Sequence, residues 1–243
     1  MRTRVQLRRP RARVVGVALA ASLAVAGISA VVADRAGADE DRCANFRDDA
    51  RARWSLSAEQ SEQTGAGPRT LVIGDSYSVG LGVQQSQSWP TRVDGAVLVD
   101  GFSGSGFSRG ASGCGELSYA TRASRAVDRA GTLDLVVVEG GLNDVDQPEA
   151  DIRDGVRRLF EELGDRPVLV VGPVPAPSRA AKVPAVDAVL AELSAEHGAT
   201  YLSLADADLP YLPDRLHLTV EGHAEFGDLV AEAVAGMPAA SLD

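Results

Sequence analysis

The feature that most constrains the fold is the alternation, after residue 69, of short apolar runs with longer amphipathic stretches. The apolar runs are rich in β-branched residues, as buried strands are, and the stretches between them have helical periodicity. Strands that alternate with helices form a parallel sheet covered on both faces. The predicted strands are Thr70–Ile73, Ala96–Val99, Leu133–Val138, Val168–Val171 and Thr200–Leu204, and the predicted helices are Tyr119–Ala130, Glu149–Leu163, Ala180–His197 and Val220–Met237. The sequence therefore predicts an α/β domain with a five-stranded parallel sheet.

Polar residues and glycines follow four of the five predicted strands. Ligands of such sheets bind beyond the carboxyl ends of the strands, so these residues are expected to meet at one edge. They are Gly74-Asp75-Ser76, Gly104 with Gly106, Gly141-Leu142-Asn143-Asp144 and Asp214-Arg215-Leu216-His217. Their convergence predicts a functional site at that edge.

The residue types in this set are those of nucleophilic catalysis. Ser76 needs a base to act as a nucleophile at neutral pH, and His217 is the residue type suited to that role. Asp214, three residues before His217, can orient the imidazole. The backbone N–H groups of Ser76 and of a glycine, with the side-chain amide of Asn143, would stabilise a developing oxyanion. Each motif also has a simpler interpretation, because Gly-Asp-Ser is a common turn and Asn143 or Asp214 could cap a helix.

In order and position, these four blocks resemble those of the SGNH hydrolases, the GDSL-type esterase/lipase superfamily. The resemblance covers about residues 70–237. It implies a flavodoxin-like three-layer α/β/α fold. It also implies that Ser76 is the nucleophile, that His217 is the base oriented by Asp214, and that Ser76, a glycine and Asn143 form the oxyanion hole.

The four blocks contain one departure from the family pattern, one choice between two glycines, and two carboxylates outside the predicted triad. Tyr77 stands where the family usually has leucine, which should change the packing beside the nucleophile without touching a catalytic role. Two glycines, Gly104 and Gly106, could serve as the second block, and Gly104 is favoured because it lies nearer the strand end. Asp75 and Asp144 are interpreted as structural residues that accept backbone hydrogen bonds in their turns.

A rival nucleophile lies within the same glycine-rich stretch. Residues 106–110, Gly-Phe-Ser-Arg-Gly, match the Gly-x-Ser-x-Gly elbow of α/β-hydrolases, with Ser108 as the nucleophile. That elbow must follow directly on a strand, and here the predicted strand ends earlier, which favours Ser76. The same glycines miss the dinucleotide-binding spacing by one residue, which argues against a nucleotide cofactor.

The chain has only three histidines, which narrows the choice of base and of metal ligands. His197 is expected at a helix end facing solvent, and His223 has no carboxylate three residues before it. His217 is therefore the predicted base. Two cysteines and three histidines without zinc-like spacing predict no metal site, and no cofactor is expected.

The N-terminus has the pattern of an export signal. An arginine-rich start precedes the uncharged, mainly apolar segment 14–33, and Ala36-Gly37-Ala38 follows it. This predicts a signal peptide at residues 1–38 or, because 20 apolar residues can span a bilayer, an uncleaved membrane anchor. Both alternatives place the rest of the chain outside the cytoplasm. Residues 39–69 are expected to form a polar tether with a short helix at about 41–54, and residues 70–243 to form the hydrolase domain.

The two cysteines, Cys43 and Cys114, both lie in the part predicted to be exported. An even pair in an oxidising compartment predicts a disulfide, with two thiols as the alternative. The disulfide would close a loop of about 70 residues and contribute roughly 4 kcal/mol.

The charge balance restricts the partners. The chain has 34 acidic against 24 basic side chains and a formal charge of −10, and residues 1–38 hold seven of the arginines. Nucleic acid is therefore not an expected partner, because phosphate binding requires a basic surface. The expected partner is a small-molecule or glycan ester substrate, with a possible membrane tether through residues 14–33.

Together these features predict an exported serine esterase that hydrolyses short-chain or O-acetyl esters. Long lipids are disfavoured, because aromatic residues make up only 5% of the chain and no apolar lid is recognisable. Three alternatives remain open: an acyltransferase that acylates a sugar hydroxyl with the same triad, a lysophospholipase or lipase, and a binding module without turnover.

Overall fold

A computed structural model describes residues 13–64 and 67–237, with side chains from residue 38 onward. The chain divides into two compact units, residues 1–44 and residues 45–243. The predicted signal peptide or anchor occupies residues 1–38, and only residue 38 of this segment has a described side chain. Within the described residues, no helix is both long and apolar enough to cross a membrane.

The second unit contains a five-stranded parallel sheet with the strand order β2-β1-β3-β4-β5. The strands are β1 (Arg69–Gly74), β2 (Ala96–Gly101), β3 (Leu135–Glu139), β4 (Val168–Val171) and β5 (Thr200–Leu202). The helices are α1 (Arg13–Thr64), α2 (Ser76–Val79), α3 (Tyr119–Ala130), α4 (Glu149–Leu163), α5 (Val183–Glu196) and α6 (Val220–Ala235). The predicted α/β fold with five parallel strands is confirmed.

Alternate residues of the strands build two hydrophobic cores, one on each face of the sheet. Leu71 and Ile73 of β1 face the core that is closed by α3, α4 and most of α5. Val72, between them, faces the core that is closed by α6. This alternation follows from the two-residue period of a strand, and it gives the three-layer α/β/α arrangement.

The strand order places a topological switch point between β1 and β3. From β1 the chain runs to the edge strand β2 and then returns to the opposite side of β1 to form β3. Connections that diverge in this way leave a crevice at the carboxyl ends of the two strands. The segments with Ser76 and Asn143 leave the sheet at this point.

The short helix expected at about residues 41–54 is part of a longer one, because the chain is helical to Thr64. Within the second unit, the helix packs on the sheet domain through polar side chains. The buried Arg53 donates to the carbonyls of Ser78 at 3.2 Å and Gln85 at 3.0 Å, and the Ser57 hydroxyl accepts from the Val99 amide at 3.0 Å. These contacts explain why a polar segment folds here.

The chain's two cysteines, Cys43 and Cys114, are both disulfide-bonded. Neither is free, so the prediction that both cysteines are oxidised is confirmed and the alternative of two thiols is excluded. The two bonded cysteines suit a protein that folds in an oxidising compartment.

Candidate active site

The structure brings the three predicted triad residues into one hydrogen-bonded chain. His217 Nε2 lies 3.2 Å from the Ser76 hydroxyl, and His217 Nδ1 lies 2.6 Å from Asp214 Oδ2. The other carboxylate oxygen of Asp214 accepts the backbone amides of Leu216 and His217 at 2.9 and 3.0 Å. This is the geometry of a nucleophile, a base and a carboxylate that orients the base.

Ser76 owes its position to a sharp turn between β1 and the short helix α2. Asp75 caps α2 by accepting the Tyr77 amide at 2.9 Å, so Ser76 becomes the first helical residue. Gly74 permits the turn, because a Cβ there would collide with the Ser78 hydroxyl and the Glu139 carboxyl. The strand end, the cap and the glycine together present the Ser76 hydroxyl at the carboxyl edge of the sheet.

His217 is held by a tight loop that precedes α6. The loop closes through a hydrogen bond from the Leu212 amide to the His217 carbonyl at 2.7 Å. Arg215, at its tip, has φ of +60°, a left-handed conformation that costs a non-glycine residue about 1–3 kcal/mol. The Tyr77 hydroxyl donates to the Leu216 carbonyl at 2.5 Å, which ties this loop to the nucleophile turn. Tyr77, which stands where the family usually has leucine, therefore helps to assemble the triad.

A cavity of about 160 Å³ opens beside the triad, and we call it the triad cavity. Its polar lining includes Ser76, Gly104, Asn143, Arg179 and His217. Its apolar lining includes Phe46, Tyr77, Leu81, Leu142 and Leu216. The volume lies below the usual range of about 300–1,000 Å³ for small-molecule pockets, so the cavity suits a small group.

Two backbone amides at the triad cavity can stabilise an oxyanion. Among the described residues, neither the Ser76 nor the Gly104 amide has a hydrogen-bond partner. Gly104 has φ of +80° and open space where a Cβ would lie, so glycine is favoured by the backbone conformation. A Cβ on Gly106 would instead collide with the Asp144 carboxylate. Of the two glycines that the sequence offered, the structure places Gly104 at the cavity.

Asn143 lines the same cavity, but its side-chain amide is already fully engaged. Its Nδ2 donates to Asp75 Oδ2 at 3.0 Å and to the Ser105 carbonyl at 2.9 Å. Its Oδ1 accepts from Arg179 Nη1 at 2.9 Å. Both amide protons are therefore committed, and Asn143 can serve an oxyanion only by sharing or releasing one of these bonds.

The carboxylates near the triad have very different environments. Burial tends to raise the pKa of Asp214, but the hydrogen bonds from the His217 side chain and backbone outweigh it and lower the pKa to about 2. Burial raises the pKa of Asp75 to about 6 and that of Glu139 well above its usual value. Asp214 is thus the ionised partner of His217, as a triad requires.

The structure places the rival serine and the other two histidines outside the site. Ser108 is buried, and its hydroxyl donates to Asp144 at 2.6 Å. The Asp144 carboxylate also accepts the Phe107 and Ser108 amides, so its predicted structural role holds, although the bonded amides belong to another loop. His197 stacks on the Phe160 ring.

His223 is fully buried in the core beside the Tyr77 ring. Neither of its ring nitrogens has a hydrogen-bond partner among the described residues. Burial, and then the charges of His217 and Arg53, lower its pKa to about 4. The structure therefore gives His223 a packing position, away from any carboxylate of the described residues that could orient it as a base.

Arg179 is the residue of the site that sequence reasoning missed. Besides the Asn143 side chain, its guanidinium donates to the Leu142 carbonyl at 2.5 Å. It lies eight residues after the end of β4, outside the four family blocks. Only its position after a strand, at the carboxyl edge, could have indicated it.

The sequence matches the GDSL-like Lipase/Acylhydrolase family over residues 72–225, more than half of the chain. The chain belongs to this family, within the SGNH hydrolase superfamily, and is an ester-hydrolysing enzyme. A comparison with curated protein sequences gives no match.

Two solved structures show how far the fold is shared. A carbohydrate acetylesterase from Sinorhizobium meliloti is 20% identical with a TM-score of 0.56, over 69% of this chain and 98% of its own. The aryl esterase of M. smegmatis is 18% identical with a TM-score of 0.57, over 71% of this chain and 100% of its own. At these identities the likeness establishes the SGNH hydrolase fold.

Proposed function

We propose that the protein is an exported serine esterase that hydrolyses short-chain or O-acetyl esters with Ser76, His217 and Asp214 as its triad. The observation that carries this proposal is the hydrogen-bonded chain from Ser76 through His217 to Asp214 at the mouth of a small cavity. A triad of this kind activates a serine at neutral pH. The substrate named for the S. meliloti acetylesterase agrees with an O-acetyl ester.

The proposed reaction has two halves. In the first, His217 Nε2 takes the Ser76 proton while the serine oxygen attacks the ester carbonyl carbon, and the imidazolium then protonates the departing alcohol. In the second, His217 takes a proton from water as the water oxygen attacks the acyl-enzyme. The carboxylic acid leaves, and the Ser76 oxygen recovers its proton. The Ser76 and Gly104 amides would bind the oxyanion of both tetrahedral intermediates, and Asn143 would become the third donor by sharing or releasing one of its present bonds.

The small cavity supports a short acyl group. Its 160 Å³ is bounded by Leu81, Leu142 and Leu216, and a cavity of this size holds a group of about six carbon atoms, the size of benzene. A longer chain would have to lie outside it, and its apolar surface would stay in water. The preference for short acyl chains follows from this limit.

The export part of the proposal rests on other observations. The arginine-rich start and the apolar segment 14–33 have the pattern of a signal peptide or anchor. Both cysteines are disulfide-bonded, which is typical of proteins outside the cytoplasm.

The first test is hydrolysis of p-nitrophenyl acetate by the full chain and by Ser76→Ala. We expect the variant to lose at least about 10³-fold in kcat, because no other group replaces the nucleophile. Ser86→Ala, an exposed serine without a side-chain hydrogen bond among the described residues, is the matched control and should keep full activity. The octanoate ester should be a much poorer substrate than the acetate.

Each other outcome has a distinct meaning. If Ser76→Ala stays active and Ser108→Ala is inactive, the nucleophile assignment is wrong. If an added sugar alcohol becomes acylated in place of release of free acid, the enzyme is the acyltransferase alternative. Mass spectrometry of the products separates these cases.

A further inference from the structure

A second and larger cavity, of about 550 Å³, lies at the carboxyl end of the edge strand β2. Five arginines line it, and we call it the arginine cavity: Arg47, Arg51, Arg122, Arg125 and Arg129, with Trp54 between them. Two helices supply these side chains, α1 and α3. The proposed esterase reaction uses none of them.

Most of this positive charge is not neutralised within the protein. Arg122 is buried in an ion pair with Asp100, and Arg51 pairs with Asp48 at the surface. Among the described residues, no carboxylate pairs with Arg47, Arg125 or Arg129. The Arg129 guanidinium instead lies 3.9 Å from the centre of the Trp54 ring. Three uncompensated guanidinium groups around one cavity, on a chain of formal charge −10, mark a local anion-binding surface.

The arginine cavity and the triad cavity share a wall. Phe102 lines the arginine cavity, and Gly104, two residues later, lines the triad cavity. Because consecutive Cα atoms are 3.8 Å apart, these two wall residues lie within about 8 Å of each other. The ring of Phe46, which lines the triad cavity, packs edge-on against Phe102 with centroids 6.3 Å apart. A ligand in the arginine cavity therefore lies next to an ester bound at Ser76.

Arg122 joins the two cavities structurally. Its guanidinium donates to the Gly74 carbonyl at 2.9 Å, two residues before Ser76, and to the Ser105 hydroxyl at 3.2 Å, one residue after Gly104. Burial, and then the charge of the neighbouring Arg125, lower the pKa of Arg122 to about 9. An anion near Arg125 would relieve this repulsion directly beside the triad.

We propose that the arginine cavity binds a carboxylate- or phosphate-bearing sugar of the ester substrate, so that the substrate is an O-acylated anionic glycan. The cavity volume suits a sugar-sized ligand, and arginine forks match carboxylate and phosphate geometry. The proposal rests on the proposed esterase function, because it assigns the ester to the triad cavity and the anionic group to the arginine cavity.

The test compares an anionic and a neutral polymer, O-acetylated polygalacturonate and O-acetylated xylan, with p-nitrophenyl acetate as the small neutral ester. The variant is Arg47→Gln with Arg125→Gln, because both side chains are exposed and unpaired among the described residues. Its control of equal charge change, Arg92→Gln with Arg157→Gln, removes two exposed arginines that do not line this cavity, of which Arg92 also loses a surface ion pair with Asp228.

We expect the cavity variant to lose roughly 10-fold or more in kcat/KM on polygalacturonate, through KM, and to keep its activity on xylan and p-nitrophenyl acetate. The control pair should keep all three activities. Equal activity of wild type and cavity variant on polygalacturonate would overturn the inference, and so would an equal loss in both arginine pairs, which would show a general charge effect.

Binding is measured separately from catalysis, by calorimetry on the Ser76→Ala chain. An oligogalacturonate should bind, and its binding should be lost when Arg47→Gln and Arg125→Gln are added. Binding of inorganic tripolyphosphate alone would support the site and assign a phosphate-bearing glycan, whereas binding of neither anion would overturn it. If the wild type does not hydrolyse p-nitrophenyl acetate but the oligogalacturonate binds to the Ser76→Ala chain, the proposed esterase function is wrong while the anion site stands.

Discussion

Arg179 illustrates what a residue can contribute at a site without belonging to a recognisable motif. Sequence motifs identified Ser76, His217 and Asn143 because their spacing relative to strand ends is distinctive. Motifs could not reveal that Arg179 fixes the orientation of the Asn143 amide, because this contact joins positions 36 residues apart. The position of the Asn143 amide can thus be predicted from sequence, but its orientation depends on partners that only the fold identifies.

We predict that Arg179→Met lowers kcat about 10-fold on p-nitrophenyl acetate with little change in KM. Loss of the bond to Asn143 Oδ1 removes one of the three hydrogen bonds that hold this amide beside the Ser76 and Gly104 amides, and misplacement of an oxyanion donor costs rate. Arg179→Lys, which can still donate to that oxygen, should recover part of kcat. Arg157→Met is the control. A rise in KM at constant kcat would show instead that Arg179 binds the substrate.

The elements of the domain differ in how well the sequence pattern predicts them. The bounds of α3 and α4 agree with the prediction, because both helices bury an apolar stripe and each is followed by a glycine with positive φ, Gly131 or Gly164. Helix α1 was not predicted over its full length, because the side chains that it buries against the sheet domain include Arg53 and Ser57. A helix that docks through polar groups lacks the apolar periodicity that sequence analysis detects.

The docking of α1 within the second unit should depend strongly on Arg53. We predict that Arg53→Met lowers the free energy of unfolding by about 2–4 kcal/mol, because two carbonyls lose a charged donor in a buried position. Arg51→Met, on the exposed side of the same helix, should change it by less than about 1 kcal/mol. Urea denaturation of the full chain measures both. Equal values for the two variants would contradict the docking role of Arg53.

On the scale of the whole molecule, the buried ionisable groups set how stability depends on pH. The sequence predicts which histidine is the base, but it cannot predict desolvation, which depends on what the fold packs around each group. Asp75, Glu139 and His223 all have pKa values shifted first by burial. For Asp75, whose pKa rises from 3.8 to about 6, the native state binds more protons than the unfolded state between those values. This group therefore contributes stability below about pH 4 that is lost as the pH rises through 6.

His223 acts in the opposite direction over an overlapping range. Its pKa falls from 6.5 in the unfolded chain to about 4 in the fold, so the unfolded state binds more protons between these values. His223 therefore raises the free energy of unfolding above pH 6.5, and this contribution is lost as the pH falls through 4. The full change is about 3 kcal/mol for a buried group of this shift.

We predict that His223→Leu makes the protein more resistant to acid. Leucine fills a similar volume beside the Tyr77 ring, and no hydrogen bond to a described residue is lost, because neither ring nitrogen has such a partner. Denaturation at pH 7.5 and pH 4 should show a drop in unfolding free energy that is smaller in the variant than in wild type by up to about 3 kcal/mol. His197→Leu, at an exposed position, is the control and should retain most of the wild-type drop. If the wild type and His223→Leu lose the same free energy on acidification, the protonation of His223 is not coupled to unfolding, and the acid sensitivity must come from other groups.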